Sequence, residues 1–151
     1  MKNQKEISVC MITYKHEKYI AEAINGVLMQ ECKFDFELII ADDNSPDNTF
    51  LIINEIIKNH PNGSKIKYFK HSANIRMQNN STFVFSKAKA KYIALCEGDD
   101  YWTDPLKLQK QFEFMEANSE YSCVFHDSII VDENNNYISD FIHDNIHRIY
   151  R

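Results

Sequence analysis

The sequence predicts an α/β protein whose mostly parallel sheet is covered by helices on both faces. Short apolar runs alternate with amphipathic segments along the chain, an order that favours parallel strands joined by right-handed crossovers. The apolar runs are continuous, which is typical of strands buried on both faces. Polar or acidic residues follow three of the runs, at the end of a parallel sheet where ligands bind.

The length and composition fit one domain, predicted over residues 1–151, with a core of its own. The formal net charge of −5 argues against a general nucleic-acid binder, and the absence of a long apolar span argues against a transmembrane segment. The four cysteines include no Cys-x-x-Cys pair, and Cys10, Cys96 and Cys123 lie inside apolar runs. Buried thiols in a cytoplasmic protein are therefore expected rather than a disulfide or zinc framework.

Strands are predicted where apolar residues run together and turn-forming residues follow them. They cover residues 7–13, 36–41, 66–71, 92–96 and 122–125, with a hairpin formed by 129–131 and 137–142 across an Asn-rich turn.

Four helices are predicted from apolar residues that recur on one helical face. They cover residues 17–30, the segment between Thr49 and Pro61, and residues 82–90 and 104–118. Ser45 and Asp47 are the possible N-caps of the second helix, and Asp104 with Pro105 starts the fourth.

The fourth predicted strand ends abruptly in the acidic segment Glu97-Gly98-Asp99-Asp100. Gly98 allows a tight turn, which leaves two adjacent carboxylates at the carboxyl edge of the sheet. Because neighbouring carboxylates repel each other, a cation beside them would stabilise the pair. Oxygen ligands of this kind suit Mg²⁺ or Mn²⁺, ions that also hold substrate phosphates. The alternative is a solvated acidic turn that caps the following helix.

Two further polar clusters are expected at the same edge. Thr13 and Tyr14 follow the first strand and could offer backbone groups and an aromatic wall to a base, while Asp43 after the second strand could accept hydrogen bonds from a base or ribose. With only three glycines, the chain contains neither a Walker loop nor a G-x-G-x-x-G fingerprint. A bound diphosphate would therefore need a cation, and the acidic pair supplies its site.

Taken together, these segments resemble family 2 glycosyltransferases. The run Ile7–His16 is similar to their opening strand, which often ends in Thr-Tyr-Asn, and residues 39–49 resemble their Asp-Asp-x-Ser-x-Asp-x-Thr segment. Residues 97–100 look like their metal-binding "DxD" variant, and residues 101–108 are similar to the stretch that follows it in bacterial members. The resemblance covers nearly the whole chain, in order.

The resemblance implies a GT-A fold and a nucleotide-sugar donor, with UDP as the default nucleotide. By family analogy Thr13, Tyr14 and Asp43 line the nucleoside pocket, Asp99 lies near the ribose, and Asp100 ligates Mn²⁺ or Mg²⁺ on the diphosphate. It further implies sugar transfer with inversion to a saccharide or lipid-linked acceptor, in surface polysaccharide synthesis at the inner face of the membrane.

The chain also departs from the family pattern. Lys15 and Arg76 stand where the family usually has Asn and Gly, and Asn80 matches a family position near the donor that could be a helix cap. Trp102 could wall the acceptor cleft or pack beneath the acidic loop.

No residue matches the family's catalytic base, which is expected downstream of Arg151. The chain is thus expected to be the donor-binding part of a longer enzyme, with a fold truncated after the fifth strand and hairpin. The first alternative is a non-catalytic nucleotide-sugar-binding domain. The second is a phosphate-transfer domain of the receiver or phosphatase kind, which is disfavoured because no lysine closely follows the fifth predicted strand.

Overall fold

The computed structural model describes residues 5–140, which fall into two compact units that divide between Gln109 and Lys110. The elements run in the order β1 (Ile7–Thr13), α1 (Ile20–Leu28), β2 (Phe36–Asp42), α2 (Thr49–Asn59), a 3-10 turn (Gly63–Lys65), β3 (Ile66–Lys70), α3 (Met77–Lys87), β4 (Tyr92–Leu95), α4 (Lys107–Ala117), β5 (Ile129–Val131) and β6 (Tyr137–Asp140). Among the described residues, no helix is long and apolar enough to cross a bilayer.

The first unit is built on a four-stranded sheet in the order β3-β2-β1-β4, and all three pairings are parallel. In β1 and β2 every residue but Ile12 is buried, which explains their continuous apolar runs. This arrangement confirms the predicted α/β class and its parallel sheet.

Helices cover both faces of this sheet. On one face α3 packs over β1 and β2, where Val84 joins Cys10, Ile39 and Ala41 in a buried cluster. From β1 to β3 the chain moves across the sheet in one direction, through α1 and α2, and from β3 to β4 it returns in the other direction, through α3. Because crossovers between parallel strands are right-handed, opposite directions place α1 and α2 on the face opposite to α3. These two helices also pack against each other.

The outer strand β4 is less buried than the sequence suggests. Ile93 and Leu95 are 50% and 60% exposed, so the expectation that both are buried was wrong. They lie on the same face as Cys10, but α3 packs on β1 and β2 and leaves the β4 part of that face open. The continuous apolar run therefore predicted the strand correctly but did not predict how far its side chains are buried.

The thiols of the first unit behave as predicted. Cys10 and Cys96 are buried, and burial raises their pKa values to about 11 and about 12, which keeps both thiols protonated. Cys123 in the second unit is exposed, so its predicted burial was wrong.

In the second unit the predicted hairpin is present and the predicted fifth strand is not. β5 and β6 pair antiparallel, and Asp132 holds the turn by accepting hydrogen bonds from the backbone of Asn134 and Asn136. Residues 122–125 form no strand, and Phe125 is 66% exposed, so the predicted fifth strand was wrong. The last two residues of the predicted hairpin, 141 and 142, and the expected base downstream of Arg151 lie outside the described residues.

Candidate functional site

The carboxyl ends of β1, β2 and β4 meet at one edge of the sheet, as the sequence predicts. The Asp43 N–H donates to the Thr13 carbonyl at 2.9 Å, and the Gly98 N–H donates to the Ile12 carbonyl at 3.0 Å. β1 lies between its neighbours at the point where the strand order reverses, which is where open α/β sheets form their ligand crevice. Thr13, Asp43 and the acidic turn are thereby brought together.

The aspartates that follow β2 hold backbone and side chains in place. Asp42 is fully buried and accepts hydrogen bonds from the Ser45 N–H at 2.8 Å and the Tyr68 hydroxyl at 2.7 Å. Burial and this carboxylate raise the pKa of Tyr68 far above its usual range. Asp43 is 3% exposed and accepts the Ile75 N–H at 2.6 Å, so it fixes the loop that leads to α3.

The turn after β2 also anchors the loop after β1. Three consecutive N–H groups of that loop donate to side-chain oxygens of the turn: Lys15 to Ser45 at 3.0 Å, His16 to Thr49 at 3.1 Å and Glu17 to Asp47 at 3.2 Å. Asn48 occupies the N-cap position of α2, and the predicted Asp47 beside it accepts the first helical N–H, that of Thr49, at 3.1 Å. Ser45 serves the neighbouring loop instead, so its prediction as the cap was wrong. The side chains of the Ser-x-Asp-x-Thr pattern thus accept hydrogen bonds from backbone N–H groups of the loop after β1.

The acidic turn lies against the end of β1. A Cβ atom at Gly98 would meet His16 Nδ1 and Thr13 Oγ1 at 2.8 Å each, so only glycine allows this close approach. The Asp99 side chain is 47% exposed, with Oδ2 3.7 Å from His16 Nε2, and Asp100 is also exposed. Partial burial, and after it the charges of the two neighbouring aspartates, raise the pKa of Glu97.

The donor atoms of this turn fit a cation that shares its coordination with a ligand. Within residues 5–140, no group of three or more His, Cys, Asp or Glu side chains could hold a metal ion. Magnesium, however, is commonly bound by one or two carboxylates together with substrate phosphates and water. Asp99 and Asp100 offer that minimal set of exposed oxygen ligands.

The segment after the acidic turn is packed onto α1. Trp102 is 6% exposed and so lies beneath the loop rather than in an open cleft. Its backbone rests on Gly26, where a Cβ atom would meet Trp102 N at 2.8 Å and Trp102 O at 2.9 Å. Lys107 Nζ lies 3.9 Å from the indole centroid, and burial lowers the pKa of this ammonium to about 8.

Gln30 is an organising residue that sequence reasoning missed. Its buried amide donates to the Gly26 and Asp104 carbonyls and accepts the Leu108 N–H at 3.0 Å. It therefore joins the end of α1 to the start of α4, across the segment that carries the acidic turn. A polar residue at the end of an amphipathic helix gives no local signal of such a role. Asp104 accepts the Leu106 N–H at 2.9 Å, which supports its predicted place at the start of α4.

Three residues at this edge adopt left-handed backbone conformations. Lys15, Asn44 and Arg76 have φ angles of 62°, 60° and 71°. Arg76 is exposed and combines its φ with ψ 154°, a region that is nearly exclusive to glycine. The loop therefore keeps the conformation that the family's glycine favours. Asn80 is not a cap: it is buried inside α3, and its amide donates to the Ala41 carbonyl at 2.9 Å.

Two polar atoms at the centre of the edge are buried without a hydrogen-bond partner among the described residues, Thr13 Oγ1 and His16 Nδ1. Thr13 itself is only 2% exposed, whereas Tyr14 next to it is 39% exposed and has Lys15 Nζ 5.2 Å from its ring. Buried polar groups are nearly always paired, so unpaired ones at a crevice call for an explanation. The edge thus combines an exposed aromatic ring, exposed carboxylates and unused polar atoms.

Comparison with known proteins agrees with this architecture. The model of "Glycosyl transferase family 2" matches residues 8–151. An uncharacterized protein of Mycobacterium tuberculosis is 40% identical over 135 residues, which cover 89% of this chain and 38% of that protein. The Escherichia coli enzyme WfaP, a UDP-Glc:alpha-D-GlcNAc-diphosphoundecaprenol beta-1,3-glucosyltransferase, is 32% identical over 76% of this chain and 43% of its own length.

A solved structure extends the comparison to the fold. The mannosyltransferase PcManGT of Pyrobaculum calidifontis, in complex with GDP-Man and Mn²⁺, superposes with a TM-score of 0.69 at 16% identity. The match covers 83% of this chain and 37% of that one, so the present chain spans less than half of each of these proteins. The fold is that of the GT-A glycosyltransferases, and the chain belongs to glycosyl transferase family 2.

Proposed function

We propose that this chain forms the donor-binding part of a metal-dependent glycosyltransferase that transfers a hexose from a nucleotide sugar to an acceptor hydroxyl with inversion. The observation that carries the proposal is the meeting of three polar strand ends at the switch point of the sheet. In this proposal Tyr14 and Thr13 face the nucleoside, Asp43 accepts hydrogen bonds from it, and Asp99 lies at the ribose. Asp100, with Mn²⁺ or Mg²⁺, faces the diphosphate.

The chemistry follows from the charge that develops during transfer. An acceptor hydroxyl attacks the anomeric carbon in line, the bond to the nucleoside diphosphate breaks, and negative charge grows on the leaving diphosphate. A divalent ion bound by Asp100 would neutralise that charge, which is the metal's contribution in such reactions. The chain's own residues bind the nucleoside and orient the diphosphate, and a general base downstream of Arg151 takes the hydroxyl proton.

The functions of the relatives support the choice of ligands. WfaP uses UDP-Glc and a lipid-linked saccharide, and PcManGT is bound to GDP-Man and Mn²⁺. We therefore propose UDP as the first nucleotide to test and a lipid-linked or free saccharide as the acceptor. Synthesis of a surface polysaccharide at the cytoplasmic face of the membrane would place the enzyme beside such an acceptor.

The test is calorimetric titration of UDP, GDP and dTDP into the protein, first with Mn²⁺ and then with EDTA. We expect one nucleotide to bind and its affinity to fall at least tenfold when the metal is removed. Asp100→Asn should abolish that metal-dependent difference, whereas Glu55→Gln, which removes one exposed carboxylate from α2, should leave it unchanged. Binding that is indifferent to metal would refute the role of Asp100.

The non-catalytic alternative keeps the same pocket and predicts binding without turnover. To distinguish this alternative from the proposed enzyme, the protein is incubated with the preferred nucleotide sugar and a lipid-linked acceptor, and release of nucleoside diphosphate is measured. Binding of the donor with metal and no release of nucleoside diphosphate would support the binding-module alternative, whereas acceptor-dependent release would refute it.

A further inference from the structure

His16 occupies a position that neither the nucleotide pocket nor the metal site accounts for. Its backbone is fixed at both ends: the N–H donates to Thr49 Oγ1, and the carbonyl accepts the N–H groups of Tyr19 and Ile20 at the start of α1. The ring therefore projects from a rigid point between the loop after β1 and the acidic turn after β4.

The ring of His16 touches the acidic turn at two places. Nδ1 lies 2.8 Å from the position that a Cβ atom of Gly98 would occupy, and Nε2 lies 3.7 Å from Asp99 Oδ2. The first distance shows that the His16 ring fills the space that a side chain at position 98 would need. The second places a ring nitrogen beside the side chain of Asp99, which is otherwise half-exposed and able to adopt several rotamers.

Structural stability does not explain this placement. Nδ1 is buried and has no hydrogen-bond partner in the described part of the chain, a situation that destabilises a folded protein. A histidine retained only for packing would have its ring nitrogens satisfied or exposed to water. The cost is consistent with a ring that serves the geometry of the site.

We infer that His16 is a positioning residue that holds Asp99 in the rotamer required for donor binding. The inference rests on the proposed function, because it assumes that Asp99 meets the bound nucleotide. The backbone of His16 is held by Thr49, in the turn after β2, and its ring lies beside Asp99 and Gly98. His16 therefore links the acidic turn to the turn after β2. In this way one side of the sheet edge fixes the geometry of the other.

A double-mutant cycle tests the inference, with nucleotide affinity in Mn²⁺ measured by calorimetry. His16→Ala should weaken binding about five- to twentyfold in the wild-type background and by less than twofold in the Asp99→Ala background, because the contact to be removed is already lost. His16→Gln keeps an amide N–H near the position of Nε2 and should restore most of the affinity. His60→Ala, at the distant end of α2, is the matched control and should bind like the wild type.

The outcomes separate the inference from the proposed function. Equal losses from His16→Ala in both backgrounds, with unchanged melting temperatures, would show that His16 does not act through Asp99 and overturn the inference alone. If the wild-type chain binds none of the three nucleotides, the proposed function fails and the inference fails with it. If His16→Ala does not fold, the cycle is run with His16→Gln and His16→Asn, and additivity there overturns the inference equally.

Discussion

Replacing Gly26 by alanine sets a favourable local effect against an unfavourable contact, and the structure decides between them. Gly26 lies inside α1, where glycine costs about 1 kcal/mol relative to alanine. Judged from helix propensity alone, Gly26→Ala should stabilise the protein. The new methyl group, however, would lie 2.8 Å from the nitrogen and 2.9 Å from the oxygen of Trp102.

Both of these atoms belong to backbone, so no side-chain rotation can relieve the contact. Nonbonded heavy atoms prefer separations of about 3.5 Å or more, and overpacking of this kind typically costs about 1–3 kcal/mol. The segment can yield little, because Gln30 joins it to the end of α1. Because two backbone atoms are contacted at once, we place the overpacking cost in the upper part of that range, about 2–3 kcal/mol, and subtraction of the propensity gain leaves a net loss of about 1–2 kcal/mol. For a chain of this length that lowers the melting temperature by about 2–8 °C.

Calorimetric or circular-dichroism melting measures this effect, with Asn25→Ala as the matched control. Asn25 is an exposed neighbour on the same helix, so its replacement changes helix propensity without the contact and should raise the melting temperature slightly. Gly26→Ala should also weaken metal-dependent nucleotide binding, because Trp102 follows the acidic turn directly. A Gly26→Ala protein more stable than the wild type would refute the reasoning.

Three further changes test other parts of the structure. Arg76→Gly should stabilise the protein by about 1 kcal/mol in urea unfolding, because relief of a strained backbone worth about 1–3 kcal/mol exceeds the entropic cost of glycine; a lower midpoint would contradict this. Gln30→Leu leaves buried backbone groups unpaired and should cost about 2–4 kcal/mol in the same assay. Hydrogen bonds from Lys5 and then Lys65 lower the pKa of Asp35 to about 2, so stability present at neutral pH should be lost between about pH 4 and 2. Asp35→Asn should be less stable at pH 7 and lose less over that range; an identical acid limb would refute the assignment.

Much of the fold could be predicted because local patterns and burial agree. β1 and β2 are enclosed on both faces, so their apolar runs match the observed strands to within a residue. The failures occur where tertiary context decides the outcome. Residues 122–125 have the residue types of a strand but no described partner strand, and the apolar run of β4 gives no sign that α3 leaves it partly uncovered.

The candidate site divides in the same way. Turn chemistry and parallel topology were enough to place Thr13, Asp43 and the acidic turn at one edge. The anchoring by Ser45 and the role of Gln30 could not be predicted, because both depend on side chains that reach across 30 residues or more of sequence. The spacing of residues in a sequence predicts which of them share a face of one helix or strand, whereas these contacts join separate elements.

The aspartates at this edge differ in burial, although all follow strands and look alike in sequence. Asp42 is buried and accepts hydrogen bonds from the Ser45 N–H and the Tyr68 hydroxyl, so its replacement should disturb the loops at the edge before it disturbs any ligand. Asp99 and Asp100 are exposed on a turn that Gly98 allows to approach β1. A buried carboxylate held by a backbone N–H group builds the rigid half of a site, and exposed carboxylates on a tight turn lie where a cation can reach them. For this reason metal dependence should be lost on changing Asp100, whereas changing Asp42 should lower stability first.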